Sequence, residues 1–216
     1  MDIDVLLLVS LLIILSNIYL LGTSRLGAMI RAIAFQGIML SILPLLIMHI
    51  DMEPEHIIVL TMLSIVVKGY IIPNYLHNIM GKVKVKRELS PYVGYFSSVF
   101  FGLVASYSSF YLIKLLPFYA LVVSPIHAAT AMASILIGTF LIASRKNVLA
   151  QIIGFLVFEN AGFILGISVA TTQPLFIEIG ILFDLVAGVV IMGTTMKFIN
   201  MHFKSINVAA LERLSK

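Results

Sequence analysis

Residues 147–170 read NVLAQIIGFLVFENAGFILGISVA. A predominantly apolar run of this length is what a helix needs to cross a hydrocarbon core of roughly 30 Å. Glu159 stands midway along it, followed by Asn160. Two further ionisable residues repeat the pattern: Lys68 within LTMLSIVVKGYIIPNYL and Asp184 within EIGILFDLVAGVVIMG. A charge at the centre of a bilayer costs roughly 2.5–3.5 kcal/mol on insertion scales. Three unpaired charges would therefore cost roughly 8–10 kcal/mol, as much as the net stability of a whole domain. Ionisable groups at that depth are functional by default and most often move protons or ions.

Composition agrees. Hydrophobic residues make up 61% of the chain, charged residues 11%, and the mean hydropathy is +1.11. A soluble domain is closer to 45–50% apolar and about 25% charged, so the bilayer is the solvent here. The chain has no cysteine, which excludes disulfides and Cys-ligated zinc or iron–sulfur clusters within it. The net charge of +4 is spread over short loops and does not form the basic stripe that binds nucleic acid. The first apolar run begins with Asp2 and Asp4 and has no basic leader or small-residue cleavage site, so it reads as a retained span.

The apolar windows predict an all-α membrane bundle of seven transmembrane helices, at about 3–22, 26–50, 54–80, 91–115, 118–143, 147–170 and 174–198, with a polar tail over 199–216. On this count one side of the membrane receives Arg25, Lys82, Lys84, Lys86, Arg87, Arg145, Lys146, Lys197, Lys204, Arg213 and Lys216. The other receives Lys114 with Asp2, Asp4, Asp51, Glu53 and Glu55. Eleven cations against one put the N-terminus outside and the C-terminus in the cytoplasm.

The loops after spans one and five resemble each other. SRLGAMIRAIAFQGIM begins at Ser24 and SRKNVLAQIIGFLVFEN at Ser144. Aligning them pairs Ile33 with Ile153 and Phe35 with Phe155. Residues 3–80 and 118–198 then form two parallel three-helix units joined by a connector over 91–115, an arrangement that in transporters often places sites at the repeat interface.

Each polar residue in a span has two readings. Glu159 and Asp184 are either neutral carboxyls bonded to neighbouring helices or proton carriers held at one depth by the short turn near Thr171–Pro174. Gly180, Ala187, Gly188 and Gly193 leave room beside Asp184 for close packing or water. Lys68 is either a salt-bridge partner of those acids or a proton site that tunes them. Pro73, just beyond it, frees a backbone carbonyl and opens the helix to a wet cavity. Gln36 lies near the depth of Lys68 and reads as a hydrogen-bonding side chain. Arg31 is shallower and snorkels. His127, beside Pro125, reads as a core histidine or a path residue. Glu178 is either solvated by headgroups or at an exit. No Walker loop, dinucleotide fingerprint or zinc helix motif is present.

The segments SRKNVLAQIIGFLVFENAGFILG and LFIEIGILFDLVAGVVIMG, the tail INVAALERLSK, and SRLGAMIRAIAFQG and VVKGYIIP of the first half together resemble the component E subunit of hydrogenase-4 and formate hydrogenlyase complexes. The likeness in length and span pattern covers essentially the whole chain. The last three spans are also similar to the small K-type membrane subunit of respiratory complex I, which carries one glutamate in each of its last two helices. Asp184 falls on the second of these positions. On the family's Asn–Ala pair, the first falls on Leu156, one helical turn from Glu159 and on roughly the same face. Gln36 aligns with Leu156 in the first repeat unit.

The resemblance implies a non-catalytic subunit of an energy-converting nickel–iron hydrogenase, or a related complex I-like assembly, in a prokaryotic plasma membrane. The partners it implies are antiporter-like and quinone-subunit-like membrane proteins and subunits carrying the nickel–iron centre and iron–sulfur clusters. No cofactor is expected in this chain. The proton path it suggests runs through Glu159, Asp184 and Lys68. Two other readings stay open: a stand-alone secondary ion transporter and a structural adaptor for antiporter-like subunits.

Overall fold

The computed structural model describes residues 3–47, 54–83, 87–88, 91–122 and 124–169, together with Gly180, Ala187, Gly188, Val190, Ile191 and Thr194. Asp184 and Glu178 lie outside the described residues. Nearly all described residues are helical. The helices are α1 (Ile3–Gly22), α2 (Leu26–Ile47), α3 (Pro54–Ser64), α4 (Ile72–Val83), α5 (Tyr95–Leu112), α6 (Pro125–Ser144) and α7 (Val148–Val169). A π-helical stretch, Ile65–Ile71, joins α3 to α4. Among the described residues four helices are long and apolar enough to cross a membrane, over Leu26–Leu43, Tyr95–Leu115, Pro125–Ser144 and Val148–Ser168.

The elements end where backbone chemistry stops them. Gly22 closes α1, and Pro125 opens α6 in the first turn, where its missing N–H costs nothing. The start of the expected span five is instead a 3-10 turn over Pro117–Leu121, with Val122 and Ser124 extended. Pro117 and Pro125 bracket it, and neither continues a preceding helix. The wide turn at Ile65–Ile71 has a similar cause. Pro73 lacks an N–H, and its ring crowds the carbonyl four residues back. The chain meets this with a π segment, in which Ile72 N–H bonds to the Val67 carbonyl five residues back.

α6 and α7 form an antiparallel hairpin at very close approach. A Cβ on Gly138 would lie 2.7 Å from the Phe158 nitrogen, and one on Gly154 would lie 2.8 Å from Leu141 Cβ. Two glycines facing each other across the contact let the backbones touch, as small residues do between membrane helices. α1 runs parallel to α6 on its other side, as two ties show: Asn17 Nδ2 donates to Ser134 Oγ, and Arg145 donates to the Leu21 carbonyl. Phe101 of α5 stacks on Phe140 of α6 with ring centroids 4.1 Å apart.

One end of the bundle is clamped by the charged loop. Glu88 is buried, and its Oε1 accepts from the backbone N–H of Lys146 at 2.9 Å and of Asn147 at 3.1 Å. Its other carboxylate oxygen lies 3.7 Å from Nε of Arg145, which is completely buried. Burial pulls the Arg145 guanidinium below its ordinary range, and the Glu88 carboxylate opposes that shift. Arg145 also lies over the Tyr95 ring at 4.8 Å, and the Tyr95 hydroxyl donates to the Glu88 carbonyl. The two look-alike loops meet at this clamp. Glu88 N–H bonds to the Ser24 carbonyl, and Tyr92 N–H to the Ser144 carbonyl. Arg145, counted from sequence as a loop cation, is thus an internal counter-charge.

Removing one partner of a buried pair strands the other charge, at roughly 3–5 kcal/mol. We expect Glu88→Ala to lower the thermal stability of the purified chain by that order while Arg87→Ala, at an exposed neighbour, leaves it nearly unchanged. Thermal unfolding in mild detergent measures both.

Candidate functional site

The buried apolar side chains form two main clusters, one toward each end of the bundle, separated by a polar layer. On α1, Val9 and Ile13 belong to one cluster, Leu20 and Leu21 to the other, with Asn17 between. On α2 the order is Leu26, Met29, Ile30 and Ile33, then Gln36, then Leu40 and Leu43. On α6 Ser134 separates Ala131 from Ile137. On α7 Glu159 and Asn160 separate Val157 from Phe163. Lys68 enters the same layer from the π segment. All these polar residues are buried.

Two bonded groups make up the layer. In the first, Gln36 Nε2 donates to Asn17 Oδ1 at 2.8 Å, and Asn17 Nδ2 donates to Ser134 Oγ at 2.8 Å. Ser134 Oγ in turn donates to the Thr130 carbonyl. Three helices are thereby fixed in register by amides that would each cost free energy if left unpaired in apolar surroundings. In the second, Lys68 Nζ donates to Asn160 Oδ1 at 3.2 Å and lies 5.0 Å from the centre of the Phe163 ring. Asn160 and Phe163 are one turn apart on α7, so the same face supplies both a carbonyl dipole and a π cloud to the ammonium.

A small cavity joins these elements, with about 10 Å3 open to the centre of a water molecule, which is room for about one water. Ile33 and Gly37 of α2, Lys68, Ile72 of α4, and Leu156, Glu159 and Asn160 of α7 line it. The structure therefore brings Lys68 and Glu159, 91 positions apart in the chain, to one cavity. Leu156 faces the same space, so the one-turn displacement of the glutamate from the Leu156 position leaves it on the cavity. Glycine at 37 admits the lysine. A Cβ there would lie 2.7 Å from Lys68 Cβ, closer than real Cβ atoms come. Beside it, Ser41 Oγ donates to the Gly37 carbonyl at 2.7 Å and lies 2.9 Å from Ser64 Oγ.

The remaining sequence candidates lie elsewhere. Gln36 is in the amide group and does not line the cavity, though its neighbour Gly37 does. Arg31 is exposed. His127 is wholly buried near the Ser124 end of α6, with Nδ1 2.7 Å from Ser124 Oγ. Among the described residues no three His, Asp or Glu side chains gather as a metal site requires. The sequence reading missed Asn17, Ser134 and Glu88. Asn17 carried a signal, being the one amide in the apolar run 3–22. A serine in a membrane helix carries none, because it satisfies itself on its own backbone.

Forcing a methyl against Lys68 tests this packing. Gly37→Ala is expected to destabilise the chain by about 1–3 kcal/mol, the range for overpacking, and Gly81→Ala, where a Cβ meets nothing within 4 Å, to do so far less. Parallel melting curves decide it.

No family model matches the chain, and no solved structure does. It is 24% identical over 186 residues to an uncharacterised protein of Mycobacterium tuberculosis, a match covering 84% of this chain and 82% of that protein.

Proposed function

We propose that this chain is a non-catalytic, seven-span membrane subunit of an energy-converting nickel–iron hydrogenase assembly of the hydrogenase-4 or formate hydrogenlyase type, and that Glu159 carries protons under the control of Lys68. The observation that carries the reading is the shared cavity: a carboxyl, an ammonium and an amide converge on water-sized space in the middle of an apolar bundle. Packing alone does not call for an acid and a base on one cavity at that depth, where each is expensive to bury.

The chemistry follows from Coulomb's law. Two unit charges 4 Å apart interact by roughly 4 kcal/mol at an effective dielectric constant of about 20. Moving the Lys68 ammonium toward or away from Glu159 changes the carboxylate's hold on a proton on that scale. Expelling one proton against a potential of about 150 mV costs roughly 3.5 kcal/mol, and withdrawing the ammonium from about 4 to about 8 Å would supply roughly 2 kcal/mol of that. Asn160 and Phe163 give the ammonium one resting place. The π segment that bears Lys68 is a type of helical irregularity often found where a helix does work. Asp184 serves as the second carboxylate of the path. Redox chemistry, with its nickel–iron and iron–sulfur centres, belongs to partner subunits in a prokaryotic plasma membrane, and antiporter-like and quinone-subunit-like membrane proteins are the neighbours.

The test has two stages. The tagged chain, drawn from native membranes in mild detergent, is expected to bring down hydrogenase activity and iron–sulfur subunits. A chain that arrives alone turns the reading toward a self-contained transporter. In the intact complex, Glu159→Gln and Asp184→Asn are expected to assemble normally, retain hydrogen turnover and lose most proton translocation per hydrogen. Full coupling in both variants removes the proton path.

A further inference from the structure

Several buried side-chain polar atoms have no hydrogen-bond partner, among them Ser144 Oγ and Arg145 Nη1 beside the Glu88 clamp, and two lie toward the opposite end of the bundle. Ser10 is 3% exposed and His127 is 0% exposed, yet neither Ser10 Oγ nor His127 Nε2 has a hydrogen-bond partner. Helix geometry sets them at one level. Ser10 lies seven residues before Asn17 on α1, and His127 seven residues before Ser134 on α6. Seven residues are two helical turns and return to the same face. α1 and α6 run parallel and are pinned together at Asn17–Ser134. Moving two turns along both helices, roughly 10 Å, reaches Ser10 and His127 at one level. Their neighbours along the two helices are packed in apolar clusters: Val9, Ile13 and Ala131 in one, Ala128 and Ala129 in another. An unmet buried donor or acceptor costs about 1–3 kcal/mol. Two on facing helices at one depth call for a shared partner that is not a side chain.

We propose that Ser10 and His127 hold water between α1 and α6, and that His127 there takes the proton from the polar layer and hands it toward the Ser124 end of the bundle. The transfer part rests on the proton-path reading above; the hydration does not. The Ser134 and Thr130 hydroxyls are bonded to their own helix carbonyls, so in this proposal water carries the proton from the layer to His127. Gln36, Asn17 and Ser134 bond in series from the neighbour of Gly37 to α6, and Thr130 continues the buried face of α6 to His127. At the far side His127 Nδ1 meets Ser124 Oγ at 2.7 Å. Ser124 precedes α6 and is only half-buried. An imidazole with one nitrogen on the interior and the other on a hydroxyl at the helix start has the layout of a proton shuttle. The held water, having received a proton from the side of the polar layer, passes one to Nε2 and is left neutral. The proton on Nδ1 passes to Ser124 Oγ, whose own proton goes to solvent, and the ring exchanges tautomers to reset. Of the ionisable groups on the segments that cover this end of α6, Lys114 is exposed and Tyr119 half-buried, and Glu178 lies outside the described residues.

The cysteine-free chain makes the hydration directly measurable. Ser10→Cys changes one atom, and a thiol reacts with silver ion only where water reaches it. Membrane vesicles carrying Ser10→Cys or Ile13→Cys, the latter 2% exposed within apolar packing, are treated with silver ion from either face, then denatured and titrated with a maleimide dye. Silver is expected to block Ser10→Cys at least tenfold faster than Ile13→Cys, and from the face nearer Ser124. Equal rates overturn the wet site. For transfer, His127→Gln keeps a hydrogen-bonding side chain but cannot cycle a proton. In the intact hydrogenase complex it is expected to cut protons moved per hydrogen at least fivefold with hydrogen turnover intact. Unchanged coupling in His127→Gln alongside lost coupling in Glu159→Gln overturns the His127 step alone. Lost coupling in His127→Gln with unchanged coupling in Glu159→Gln overturns the Glu159 site and leaves His127 standing.

Discussion

Polar side chains placed deep in an apolar bundle must find their partners inside the protein, because no solvent is there to supply them. That constraint organises this molecule. Asn17, Gln36, Lys68, Ser134, Glu159 and Asn160 come from five stretches of chain, and all fall in one layer between two main apolar clusters. The clusters can slide or rotate at little cost, since alkyl contacts are non-directional. The amide chain Gln36–Asn17–Ser134 cannot, because each bond has one donor and one acceptor at a fixed reach. Register in the bundle is therefore set at mid-depth, and the apolar halves pack to suit.

The second fixed point is at the end of the bundle. Glu88 receives two backbone N–H groups from the α6–α7 turn and faces Arg145, while its own N–H holds the α1–α2 turn. The two turns that look alike in sequence, at Ser24 and at Ser144, thus hang on one short segment. Matched Ile33 and Ile153 both enter the same apolar cluster. A clamp at one end and a polar layer in the middle leave the Ser124 end with the fewest polar ties among the described residues, and that is where the orphaned Ser10 and His127 sit.

Much of the site was legible in the sequence, and the reason is cost. Lys68 and Glu159 stand out because nothing else in their apolar surroundings is charged, and depth counted along each span puts them at one level. What remained hidden was azimuth: hydropathy has no strong face when both lipid and core are apolar, so which sides of α2, α4 and α7 meet at the cavity is set by packing details such as Gly37. Glu88 was hidden for the opposite reason. Within GKVKVKRELS it is one charge among many, and only the folded loop gives it a buried partner. Arg145 satisfied the charge-bias count while pointing inward, which shows that a cation beside a span end is not thereby at the surface. The stretch before Pro125 looked apolar enough to be membrane helix, but two prolines eight positions apart divide it.

The π segment at Ile65–Ile71 also has a geometric effect on the chain that contains it. Bonds that reach five residues back, in place of four, slow the advance of the helix around its axis for the length of the segment. The thread of α4 is consequently out of phase with that of α3. Side chains after Lys68 face a different azimuth from the one an uninterrupted helix would give them, so Ile72, Leu76 and Ile79 reach the cluster shared with α2 and α7 while Thr61 and Ser64 keep their own inward face. Loss of Gly69 alone would restore the common phase and turn one half of the rod against its neighbours, even though every apolar side chain of the segment was kept.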